Sequence, residues 1–328
     1  MQDKLVFNRG GVKPVISAIR AIALVLIITC HVLQYYGNEL CYWLNVGVQV
    51  FFVISGFLYG NKDIYDPLDF LVKRFKKLLI PYWLFLLIAI VLYAAFSREN
   101  LHASEVLKSI VCADTIKGLG HLWFVGYILF CYILTPYLQR IRIRLEKLTF
   151  WKAFIIIALL LLMVQILGIA FESYFQPDRV SCYIIGYYMP ILIRKANKSI
   201  KAALLGMLVL VAIVMNTARI YLKYYAIGVV PEVLVNGLVR YAHLALGVAL
   251  FAILFRALRN VKYNVFLKWS DAYSYPIYLV HQFFIISPFT LMAVTQIKSL
   301  NWAIVLVATI VLAIMIDLMA KHLITRRI

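Results

Sequence analysis

Charge is scarce in this chain of 328 residues, and acidic charge is scarcest. Asp and Glu number 14 against 33 Lys and Arg, and charged residues of both signs make up 14%, where globular chains carry about 25%. Hydrophobic residues make up 64%, far above the ~45–50% that a water-soluble domain buries and displays. Low-complexity segments and internal repeats are missing, which excludes disordered, fibrous and solenoid chains. The five cysteines show no CxxC and no metal-ligand spacing, so neither a disulfide scaffold nor a cysteine metal site is expected. Cys30, Cys131 and Cys182 fall inside apolar runs as small hydrophobes, whereas a bridge between Cys41 and Cys112 stays open. The chain also lacks a GxSxG elbow, an HExxH pair and a Walker A loop. What remains is an integral membrane protein.

The net charge of +19 is spread in short clusters between apolar runs, the pattern of a polytopic membrane protein and not of a nucleic-acid binder. A span needs about 20 apolar residues. Ten candidates follow: 14–36, 43–60, 80–97, 121–138, 151–171, 181–194, 199–220, 234–256, 270–294 and 301–322. The weakest is 181–194, which is short and carries Pro190. The expected fold is all-α: a polytopic helix bundle of about ten transmembrane helices in a single domain, 1–328. Residues 67–78 read as a separate basic amphipathic helix on the inner surface.

Orientation follows from Lys and Arg. One set of connections holds 23 of them, beginning with Lys4, Arg9 and Lys13 and ending with Lys321, Arg326 and Arg327; the opposite set holds seven, among them Arg98, Lys117 and Arg219. Both termini are therefore expected in the cytoplasm.

Ionisable groups inside apolar runs cost ~2.5–3.5 kcal/mol or more at the bilayer centre, so each is a functional candidate. They are Arg20, His31, His121, Arg240, His243, His281 and Asp317. Arg20 and His31 stand eleven residues apart, which places them on one helix face, about 16 Å apart along the axis. A cation near the inner mouth and an imidazole deeper in suit a ligand with an anionic cytoplasmic end and a reactive end within the membrane. The structural alternative is an Arg that snorkels inward and a hydrogen-bonded core His. Arg240 and His243 share a face and either bind a polar acceptor or fix helix packing. Asp317 and Lys321 read as a structural i,i+4 pair.

Five motifs carry a resemblance. An Arg and a His separated by ten residues read Arg20-AIALVLIITC-His31 in the first helix. Gly47-VQVFFVISGF-Leu58 follows, then Arg74-FK-Lys77 before Pro81 and Tyr82, then His121-LW-Phe124, and last Ser274-YPIYLV-His281. In this order the set resembles the acyltransferase-3 family of bacterial membrane O-acyltransferases, over nearly the whole chain. Two departures stand out: Ser17-Ala18-Ile19 precedes Arg20, and Lys77 replaces an Arg, losing the bidentate fork.

The resemblance implies transfer of an acyl group, in particular acetyl, from cytoplasmic acyl-CoA to a hydroxyl of a cell-surface or lipid-linked glycan, in the bacterial inner membrane. Acyl-CoA would be a co-substrate, with no resident cofactor and no metal; membrane lipid and the glycan would be the partners, and nucleic acid would not. It implies catalytic roles for His31, as general base or transient acyl carrier, and for Arg20 on the CoA side. Arg20, Arg74 and Lys77 would hold the CoA end. His121, His281, Arg240 and His243 would form a secondary polar site. The competing expectation is a transmembrane carrier of a small polar or acylated solute, working without CoA.

Overall fold

The computed structural model describes residues 9–97, 101–171, 176–225 and 230–325. Of the basic residues used for orientation, Lys4, Arg98, Arg326 and Arg327 lie outside these. All regular structure among the described residues is helical. Eight segments are long and apolar enough to cross a membrane: Val12–Tyr35, Cys41–Gly60, Pro67–Phe96, Gly120–Glu146, Phe150–Gly168, Lys198–Leu222, Leu234–Ala257 and Lys298–Thr325. The chain is an all-α, multi-pass membrane protein.

The helices are α1 (Arg9–Tyr35), the short α2 (Cys41–Leu44), α3 (Gly47–Gly60), α4 (Pro67–Phe96), α5 (Ala103–Ile110), α6 (Trp123–Glu146), α7 (Phe150–Ala170), α8 (Pro177–Lys195), α9 (Lys198–Tyr225), α10 (Glu232–Ala257), α11 (Val265–Ile285) and α12 (Lys298–Thr325). A 3-10 turn, Gly120–Leu122, leads into α6. The two expected spans outside the group of eight, 181–194 and 270–294, fall on α8 and α11. Both are helical but more polar, because protein surrounds them: Tyr183, Tyr187 and Tyr188 of α8 and Tyr278, His281 and Phe283 of α11 are all buried. Polar side chains are tolerated at membrane depth when they face protein.

Two boundaries differ from the sequence-based expectation. Residues 67–78 are no separate surface helix but the first turns of α4, which runs unbroken for 30 residues. Asp66 caps it, accepting from the backbone N–H groups of Leu68 and Asp69, with Pro67 in the first turn. Nothing stops the helix before Ser97, since Pro81 removes one donor without breaking the rod. The second difference is at 270–294, where α11 ends at Ile285 before Ser287-Pro288. The chain after it is held by Asn301, whose amide donates to the carbonyls of Met292 and Thr295 at 2.9 Å each. All five cysteines are free, Cys41 and Cys112 included.

The chain forms two compact units. Unit 1 comprises the residues up to Ile27, Trp43–Tyr65 and Leu134–Leu267; unit 2 comprises Ile28–Tyr42, Asp66–Ile133 and from Lys268 onward. In unit 1, α3 and α8 cross backbone to backbone. A Cβ on Gly56 would lie 2.7 Å from the Tyr187 nitrogen, and one on Gly186 would lie 2.8 Å from Val53 Cα. Gly56 and Gly60 form a small-xxx-small pair that permits this approach. Next to the crossing, Phe57 packs on Phe251 and Phe255 of α10.

Unit 1 also holds an ion network that the basic count treated as a solvated cluster. Arg142 is 6% exposed. It donates to the Gly60 carbonyl and to Asp63, and lies 3.6 Å from Glu146. Gln139 clasps both backbone groups of Ile64 at 2.7 and 3.0 Å. Together these hold the 61–65 connection against α6. Removing the guanidinium leaves the Gly60 carbonyl unmet, while water reaches the half-exposed Asp63. Arg142→Ala is expected to destabilise the protein by about 1–3 kcal/mol, read as a lower midpoint of thermal aggregation in detergent with the helix content of the folded protein unchanged.

In unit 2, α4 and α11 run in the same direction. The Tyr275 hydroxyl donates to the Leu78 carbonyl at 2.9 Å, and further along Phe85 meets Phe283 edge-on. The end of α5 and its connection to α6 lie along α4 as well: Tyr82, Trp83 and Tyr93 donate to the carbonyls of Ser109, Ile110 and Lys117. Asp317 and Lys321 form their expected i,i+4 pair at 2.5 Å.

Candidate active site

Unit 2 gathers three imidazoles from distant parts of the chain. His31 comes from the last turns of α1, His121 from the 3-10 turn before α6, and His281 from the latter part of α11. The His31 and His281 ring centres lie 5.2 Å apart, and those of His281 and His121 5.0 Å apart. His281 is fully buried and His121 is 4% exposed, while His31 is partly buried. On α11, Tyr278, His281 and Gln282 follow helical spacing and turn one face to the cluster. The Tyr278 ring touches both His121 and His281, and its hydroxyl donates to the His121 carbonyl at 2.5 Å.

The hydrogen bonds dictate where the protons sit. Nδ1 of His281 faces the Tyr278 carbonyl at 2.7 Å, and Nε2 of His121 faces the Leu279 carbonyl at 2.8 Å. A carbonyl only accepts, so each of these nitrogens carries the hydrogen and the other nitrogen of each ring carries the lone pair. Those lone-pair nitrogens, Nε2 of His281 and Nδ1 of His121, are buried and have no hydrogen-bond partner; neither has Oε1 of the adjacent Gln282. An unpaired buried acceptor costs about 1–3 kcal/mol. Two imidazole acceptors and an amide oxygen thus stand in one cluster without donors. The large majority of buried side-chain polar atoms in proteins have a hydrogen-bond partner. Among the described residues, no group of three His, Cys, Asp or Glu is arranged to hold a metal ion.

The other sequence-picked residues divide. Arg74 and Lys77 are in the same unit, near the start of α4, with the Arg74 guanidinium 5.8 Å above the Phe70 ring and Lys77 exposed. The Tyr275–Leu78 bond puts Lys77 beside the level of Tyr275, and six residues of helix place His281 about 9 Å further along. Arg20 is on α1 with His31 but in the part that belongs to unit 1. Arg240 and His243 are also in unit 1, on α10. His243 accepts from Arg219 of α9. Arg219 is itself 3% exposed; the sequence reading counted it with the loop charges.

The comparisons follow from here. The family model described as an acyltransferase domain matches residues 14–318. The chain belongs to the acyltransferase-3 family. The match takes in all five motifs, and with them His31, His121 and His281. This acyltransferase is also 32% identical over 123 residues to the Bacillus subtilis (strain 168) protein named "Putative peptidoglycan O-acetyltransferase YrhL", a match covering 34% of this chain and 18% of that protein. The chain thus spans under a fifth of that relative's length. No solved structure matches it. Sequence reasoning found the acyltransferase's three imidazoles but missed Gln34, Tyr278 and Gln282. Gln34, three residues after His31 in an apolar helix, was the one with a readable signal.

Proposed function

We propose that this membrane acyltransferase transfers an acetyl group from cytoplasmic acetyl-CoA to a hydroxyl of a surface or lipid-linked glycan, with His31 as general base. The observation that carries the reading is the imidazole cluster: His31 stands 5.2 Å from His281, in surroundings whose buried ring nitrogens lack donors. A sugar hydroxyl is a weak nucleophile and needs a base matched to neutral pH, which imidazole supplies. The hydroxyl oxygen attacks the thioester carbonyl carbon as its proton passes to His31. The carbon–sulfur bond then breaks, and the leaving thiolate takes that proton, giving the O-acyl glycan, free CoA thiol and neutral His31. His281 packs its ring against the base and, with His121, holds acceptor nitrogens alongside.

The donor end fits the cations. Arg74 and Lys77 stand where α4 leaves its basic first turns, and Arg20 lies one helix stretch inward of His31; all three suit the phosphates of CoA. In this reading the chain is one acyltransferase domain of the bacterial inner membrane with both termini in the cytoplasm, consistent with its Lys and Arg asymmetry. The name of the Bacillus subtilis relative makes peptidoglycan the first acceptor to try.

The experiment uses inverted membrane vesicles containing the full chain, with acetyl-CoA radiolabelled in the acetyl group and peptidoglycan strands as acceptor. Alkali-labile label on the strands, dependent on the chain, is the expected result. Label that stays on CoA while sugar crosses the vesicle membrane without CoA would establish a carrier and overturn the transferase reading.

A further inference from the structure

We infer that Gln34 is a positioning residue for this transfer, holding His31 in the tautomer whose lone pair sits on Nε2. The role in transfer rests on the reading of His31 as base; the tautomer itself does not.

Gln34 lies three residues after His31 on α1, so both side chains leave the same face. Its Oε1 is 2.7 Å from His31 Nδ1. A carboxamide oxygen has lone pairs and no hydrogen, so Nδ1 donates and, in the neutral ring, Nε2 is left as the base. The backbone around Gln34 is fixed by the way α1 ends. Gly37 adopts a φ of 66°, a left-handed conformation that glycine enters without penalty. The amides of Tyr36, Gly37 and Asn38 return to the carbonyls of Val32, Gln34 and Leu33 at 3.3, 3.0 and 2.9 Å. Buried Val32, in the cluster with Ile285, Met292 and Val305, sets the rotation of this turn.

The three rings differ in one respect. His281 and His121 have their tautomers set by backbone carbonyls, which no substitution deletes. His31 has its tautomer set by a side chain. The ring that must give and take a proton in each cycle is therefore held by a single amide, and that amide also stabilises the Nδ1–H when the ring is charged. Without it the ring samples both tautomers and turns more freely, and the base-competent fraction falls.

Gln34→Ala is expected to lower kcat about 3–10-fold with KM for acetyl-CoA nearly unchanged. Gln34→Glu keeps an acceptor at the same place and should restore kcat. Its carboxylate favours the charged ring, so His31 stays protonated to higher pH and the acid limb of the kcat–pH profile moves upward. A merely structural glutamine predicts neither the rescue nor the shift. The second arm needs no turnover. Nitrogen-15 spectra of histidine-labelled protein in nanodiscs at mildly alkaline pH, with the H31A spectrum subtracted, isolate His31. A proton on Nδ1 in the wild type, lost or mixed in Q34A, is the expected result. A proton on Nε2 in the wild type overturns the inference. So does an active wild type whose Q34A variant keeps the same kcat and pH profile. A wild type with an Nδ1 proton but no CoA-dependent transfer overturns the transferase reading and Gln34's part in it, while the tautomer assignment stands.

Discussion

Replacing His31 by alanine is expected to reduce labelled acetyl transfer by about 10²–10⁴-fold, the usual contribution of a positioned general base. The lower end applies if His281, whose ring centre is 5.2 Å away, partly takes over. The loss should fall on kcat, because the cations assigned to the donor lie elsewhere on α1 and α4. His31 contributes little to the fold: it is partly exposed and hydrogen-bonds Gln34, on its own helix. The variant should therefore insert and resist heat like the wild type, which gel filtration in detergent after a heating step would check. Transfer by His31→Ala at the wild-type rate would remove this imidazole from the chemistry.

The largest effect on stability is expected at Gly186. A side chain there starts 2.8 Å from Val53 Cα and 2.9 Å from Val53 C, distances that Cβ atoms do not tolerate against backbone. Relief requires α3 and α8 to separate, and the separation would uncover Tyr183 and Tyr187, both fully buried. Overpacking commonly costs about 1–3 kcal/mol when side chains can yield; here the obstacle is main chain, and Gly186→Leu is expected to abolish recovery of monodisperse protein. Gly206→Leu is the matched control. A Cβ at Gly206 meets nothing within 4 Å, and another leucine on α9 should be neutral. Equal yields from the two variants would show that the crossing is looser than described.

Much of this was readable from residue order because the bilayer imposes strong rules. Apolar runs near 20 residues located the helices, and the cost of buried charge marked His31, His121 and His281 before any coordinates. The sequence could not tell which marked residues meet. Nothing in the spacing of His243 shows that it accepts from Arg219 of the preceding helix. Nor does periodicity reveal that a helix is lined by protein and not lipid, so 181–194, on α8, reads as the weakest span. Arg142 was hidden for the opposite reason. It sits in a run of basic residues that resembles a solvated inner face, and only the fold turns one of them inward to Asp63. The extent of α4 was misjudged because a basic stretch followed by Pro81 suggests a break that backbone hydrogen bonding does not need.

The boundary between the units cuts through α1 after Ile27 and through α6 after Ile133. Neither unit is a continuous stretch, so no single cut of the gene yields one of them whole. During synthesis His31 emerges early and His121 midway, while His281 waits until most of the polypeptide has been made. A nascent or truncated chain can thus occupy the bilayer and still lack one of the three imidazoles. The cluster of three rings closes only once α11 has been made, late in the synthesis of the chain.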